Sequence, residues 1–109
     1  MTAKEAQELL HSQADGHLST GNDHGINLGQ VLVPPQKISV IVRTVRHGDV
    51  TDTRQPVWLV GREIAADGYR IVMREDGLQF GLASIGFPSD EHPILTGWYG
   101  DLVSTFLSM

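Results

Sequence analysis

Apolar residues in this chain follow two spacings, threes and fours near both ends and twos through the middle. Ala6, Leu9, Leu10 and Ala14 recur at helical spacing behind Thr2-Ala3-Lys4-Glu5. That opening is a capping-box pattern, in which the Thr2 hydroxyl and the Glu5 carboxylate each satisfy an orphan amide. A short amphipathic helix over 2–14 is expected, with a thin apolar stripe that docks weakly. Residues 15–27, DGHLSTGNDHGIN, lack periodicity and are rich in Gly, Asn, Asp and Ser, which predicts a flexible loop. Val31-Leu32-Val33 is an apolar run stopped by Pro34-Pro35 and reads as an edge strand.

Residues 38–46, ISVIVRTVR, and 57–65, VWLVGREIA, are β-branched and predict two strands. Between them lies a polar segment in which Gly48 marks a turn, with Pro56 at the start of the second strand. The next stretch constrains register. If Asp76-Gly77 is a two-residue type I′ turn, Met73 faces Phe80 and Ile71 faces Leu82, all on one side; a three-residue loop would mix the faces. The same construction at Asp67-Gly68 pairs Ile64 with Ile71 and Arg62 with Met73, placing Trp58, Val60, Arg62 and Ile64 on that apolar face. Gly61 and Gly81 fall on the opposite face, where they admit another backbone or mark bulges.

After Gly86-Phe87-Pro88, Ser89 or Asp90 can cap a helix. Ile94, Leu95, Trp98, Tyr99, Leu102, Val103, Phe106 and Leu107 then recur at three and four residues, which predicts a helix over 94–107 whose stripe is too wide for one small sheet. The whole pattern predicts a single α+β domain over 1–109, an antiparallel β-meander of about five strands flanked by an N-terminal and a C-terminal helix.

Composition narrows the chemistry. With no cysteine among 109 residues, a disulfide framework, a thiolate zinc site, an iron–sulfur cluster and a Cys nucleophile are excluded. No apolar stretch approaches the roughly 20 residues that span a bilayer, and Met1-Thr2-Ala3-Lys4-Glu5 is polar where a signal peptide turns apolar, so a cytoplasmic protein without membrane contact is expected. A net charge of −5 argues against nucleic acid as a partner. Seven of the eight basic residues nevertheless lie between 37 and 74. Such a bias reflects either charge balance within one fold or across a dimer, or an anion site on the sheet.

No dinucleotide, P-loop or helical zinc-protease motif is present, and no cofactor is expected. Ser84 in Gly81-Leu82-Ala83-Ser84-Ile85-Gly86 has the wrong spacing for a nucleophile elbow. His11, His17 and His24, with Asp15 and Asp23, match no compact ligand spacing, so solvated loop histidines and no metal site are expected. Arg62 stands out because a cation on an apolar face needs a partner. It is either a structural ion pair or a snorkelling side chain at the sheet margin, or else a clamp for an anionic ligand, with Trp58, Tyr69 and His92 as further ligand-binding candidates.

Asp90, Glu91 and His92 could serve a general base, or simply cap the last helix. Glu63, between Arg70 and Arg74, suggests a cross-strand ion pair. Trp98, Tyr99, Leu102, Phe106 and Leu107 are the candidate interface, because aromatic residues favour interface cores. The functional expectation is a non-catalytic, self-associating binding module, a homodimer that takes a small molecule or a protein partner. The competing class is a small cofactor-free enzyme in which Arg62 positions an anionic substrate and His92, Glu91 or Glu63 moves a proton.

Overall fold

The Glu5 carboxylate accepts from the Thr2 amide at 2.9 Å and the Thr2 hydroxyl from the Glu5 amide at 3.2 Å. This capping box opens the first helix, α1 (Ala3–Ala14), of the computed structural model, which describes residues 1–63, 68–85 and 92–109. Ala6, Leu10 and Ala14 are its buried face. The segment that follows is held by its own hydrogen bonds. Asn22 Oδ1 accepts from the amides of His24 and Ile26, and Gly21 bridges to Asn27. A one-turn helix, α2 (Leu28–Val31), buries Leu28 and Val31 and leads directly into the sheet.

Five strands form a closed barrel in chain order: β1 (Leu32–Arg46), β2 (Asp49–Arg62), β3 (Arg70–Arg74), β4 (Phe80–Ser84) and β5 (Ile94–Gly100). Successive neighbours are antiparallel, so the first and fifth of them run the same way and closure must be parallel. It is made at Ile41 and Ile94, where the Ile41 amide donates to the Pro93 carbonyl at 2.8 Å. The sheet is therefore mixed and closed, which corrects the expected open antiparallel meander.

The strands around the prolines run longer than expected. β1 runs through Pro34-Pro35, where its register against β2 slips between Leu32 and Gln36, because consecutive residues without amides cannot sustain a ladder. The turn expected at Gly48 is present, and the rest of the polar segment 47–56 belongs to β2. His47 and Gly48 both have positive φ, 52° and 84°, and form a two-residue turn between Arg46 and Asp49. That is the dihedral signature of a type I′ hairpin, with His standing where Asn or Asp is usual. Pro56 lies inside β2 opposite Ser39, one residue before β3 pairing begins at Val57.

The β3–β4 register is the one expected, with Ile71 opposite Leu82 and Met73 opposite Phe80. The turn is not type I′. Only Gly77 has positive φ, the Gly77 amide donates to the Arg74 carbonyl, and the Arg74 amide donates to the Gln79 carbonyl. Residues 75–78 form a four-residue loop, which preserves the pairing a two-residue loop would give.

The β2–β3 register differs from expectation. Met73 faces Trp58 rather than Arg62, and Val60 sits in a slip between Leu59 and Gly61. A shift of four keeps Trp58 and Val60 on the Met73 face, whereas the slip beyond them turns Arg62 to the Arg70 side. Arg62 is therefore exposed rather than set on the apolar face. Ile64 and Asp67 lie outside the described residues, as do 86–91, which include Asp90 and Glu91.

Both sheet faces are apolar. On one, Trp58, Val60, Ile71, Met73, Phe80 and Leu82 pack with buried residues of the helices. On the other, Val40, Val57, Val72 and Ala83 are covered by Ile38, Leu95 and Trp98. Gly81 permits the second layer: a Cβ there would stand 2.5 Å from the Gly97 carbonyl oxygen and 2.7 Å from the Trp98 ring.

The tail is strand and then helix, not one helix over 94–107. β5 pairs with β4, Gly100 turns at φ 92°, and Asp101 caps α3 (Leu102–Leu107) by accepting from the Ser104 amide at 2.7 Å. The three-and-four spacing across 94–107 arises where a strand's alternation runs into a helical face. Leu102 and Phe106 belong to the core, Trp98 is half-buried, and Tyr99 and Leu107 are exposed. The wide stripe that motivated a helical interface is thus divided between two elements.

Candidate functional site

Four polar residues from separate parts of the chain, His24, Glu63, Tyr69 and Ser84, line one cleft of about 380 Å³ together with Gly68. Each is fixed differently. Ser84 ends β4, and His24 is carried on the turn that Asn22 organises. Glu63 follows β2 and Tyr69 precedes β3. The Glu63 amide donates to the Tyr69 carbonyl at 3.0 Å, and the Glu63 carboxylate accepts from the Tyr69 amide at 3.2 Å. This pair fastens the strand ends on either side of residues 64–67 and fixes the carboxylate at the cleft.

The groups have complementary capacities. A carboxylate accepts hydrogen bonds, a phenol and an aliphatic hydroxyl donate and accept, and a neutral imidazole does one at each nitrogen. Together they suit a small molecule bearing hydroxyl or amino groups, and Glu63 opposes an anion. Nearby, Asn22 Nδ2 is buried with no hydrogen-bond partner among the described residues.

The candidates named from sequence are not gathered at one place. Tyr69 lines this cleft. Arg62 lines another of about 380 Å³ with Val33, Pro34, Pro35, Gln36 and Leu59. Trp58 is buried in the core, with Lys37 Nζ 4.8 Å above its ring and its Nε1 lacking a partner among the described residues. Lys37 also pairs with Glu75 at 2.6 Å. His92 is half-buried beside the Pro93 carbonyl that closes the barrel.

Among the described residues no group of three or more His, Asp or Glu is placed to hold a metal ion. His11 instead contacts Gln7 at 2.7 Å and lines a groove of about 460 Å³ with Ala14, Asp15 and Leu18. Among the described residues the Glu63 carboxylate accepts from the Tyr69 amide in place of the expected ion pair, while Arg74 pairs with Asp76 at 2.8 Å. Among the described residues, no helix is long and apolar enough to cross a membrane.

Compared with protein-family models, curated proteins and solved structures, the chain matches none. The site therefore rests on its own residues. His24 and Ser84 joined Tyr69 only through the fold, since 24, 63, 69 and 84 share no local spacing that could announce them.

Proposed function

We propose that the chain is a non-catalytic binding module that self-associates and holds a small hydroxyl- or amino-bearing molecule in the His24–Glu63–Tyr69–Ser84 cleft. The observation that supports this reading is that four residues with hydrogen-bonding side chains line one concavity. Its volume falls within the roughly 300–1,000 Å³ of small-molecule pockets. Charge selects the ligand class. The anionic ligand considered from sequence depended on Arg62, which lines a different cleft, whereas among the described lining residues of this one the charged group is the Glu63 carboxylate.

Amide and side-chain NMR with a panel of free amino acids, polyols, monosaccharides and nucleosides tests the proposal. One compound is expected to shift His24, Tyr69 and Ser84 together and saturably, and to bind at least tenfold more weakly to Glu63→Gln and Tyr69→Phe. Shifts that cluster around Arg62, or no saturable shift across the panel, would overturn the site. Chemical turnover of the bound compound would replace the binding module with the acid–base enzyme.

A further inference from the structure

The β1–β2 hairpin continues beyond the barrel as a two-stranded arm. Every residue from Arg43 to Arg54 is exposed, and β3 pairing begins only at Val57. Isolated two-stranded ribbons are marginal in water, and their open edges and faces are ready for a partner. One face of this arm carries two consecutive rungs of contrasting character. Arg43 grips Asp52 through Nε and Nη2 at 2.8 and 2.9 Å. Next toward the tip on that face, Val45 stands opposite Val50, the two 64% and 60% exposed.

We propose that this face is where two copies of the chain associate, face to face about a two-fold axis running along the arm. Such an axis lays β1 of one copy over β2 of the other. Arg43 then meets the partner's Asp52, and Val45 meets the partner's Val50, twice by symmetry. The contact is isologous, as two-fold interfaces are. It shields four valines and closes two ion pairs into a four-membered charge ring, in which each arginine stands between two carboxylates.

Charge favours a second copy over a nucleic acid. The arm holds three arginines against two aspartates, and Arg43 and Arg46 each stand opposite an aspartate, leaving little uncompensated charge for phosphates. This inference deepens the self-association in the proposed function and is independent of the cleft.

Sedimentation equilibrium across about 1–300 μM is the test, with circular dichroism and melting temperature monitoring the fold. The wild-type chain is expected to reach twice its 11.9 kDa mass. Val45→Lys with Val50→Lys, and separately Arg43→Glu and Asp52→Arg, should each weaken association at least tenfold while the barrel's melt stays in place. Mixing the Arg43→Glu and Asp52→Arg chains should restore the dimer, because each new charge then meets its opposite. A wild-type monomer throughout would end both this interface and self-association. A dimer indifferent to all four substitutions would overturn the arm alone and leave self-association to another surface.

Discussion

The β3–β4 hairpin and the β1–β2 arm each turn on a glycine at strongly positive φ, Gly77 at 74° and Gly48 at 84°, yet they stand in opposite surroundings. Ile71, Val72 and Met73 are buried on both faces of the sheet, as are Phe80, Gly81, Leu82 and Ala83 opposite them. A Cβ on Gly77 would stand 2.5 Å from Leu9 Cδ2 of α1, whereas one on Gly48 would meet nothing within 4 Å. The first hairpin is held by what covers it. The second depends on its turn, its cross-strand pairs and the Arg43–Asp52 bridge, terms worth tenths of a kcal/mol to about 1 kcal/mol each. Two turns that both need a glycine at positive φ therefore predict different coupling to the global fold.

The largest test of that contrast is Gly77→Val. A β-branched residue at positive φ costs about 1–3 kcal/mol in backbone strain, and displacing Leu9 adds overpacking. The expected loss is about 3 kcal/mol, read from the urea midpoint. Gly77→Asn, which tolerates this backbone region, should lose distinctly less. Equal losses would place the cost in contact with Leu9 and Met1 rather than in the turn.

What the sequence revealed follows the same division. The β3–β4 register was legible because slipping by one residue would send Ile71, Met73, Phe80 and Leu82 to the other face. Turn type was not legible, because loops of two and four residues give the same pairing. In the arm, Thr44, Val45, Val50 and Thr51 are exposed on both faces, so hydrophobic alternation had nothing to select. Arg62 was misplaced because a slip at Val60 reverses which side the later residues face, and nothing local announces it. The cleft was legible only as separate suspicions about Glu63, Tyr69 and His24, which the β2–β3 ends and the Asn22 turn bring together.

Gly48→Ala probes the other side of the comparison with a smaller expected effect. Strain of about 1 kcal/mol at positive φ falls on an arm that can fray without exposing the core. In dilute protein the global urea midpoint should move by less than about 0.5 kcal/mol equivalent. Native-state hydrogen exchange should show Thr44–Thr51 amides opening far more easily than those of Val57, Val72 and Ala83, with Gly48→Ala accelerating the arm alone. A global loss matching that of Gly77→Val would mean that arm and barrel unfold as one unit.

The smallest effect lies in acid, where each hairpin carries a carboxylate held below its ordinary range. The Arg74 side chain, and then the Leu78 amide, lower Asp76; the Arg43 side chain lowers Asp52. A group whose folded value lies below its unfolded one stabilises the fold above the unfolded value, about 3.9 for Asp, and loses that contribution as pH falls through the folded one. Both pairs are exposed and screened, so the contributions are small. They should still differ in where they are read. Asp76 braces a turn whose strands unfold with the core, so Asp76→Asn should flatten the decline in global stability between about pH 5 and pH 3, roughly one unit either side of the ordinary carboxylate value. Asp52 braces an arm that opens on its own, so Asp52→Asn should leave the global decline unchanged and alter only arm exchange rates. Urea midpoints of the three proteins across that interval decide between them, since equal flattening by both variants would tie the arm to the barrel.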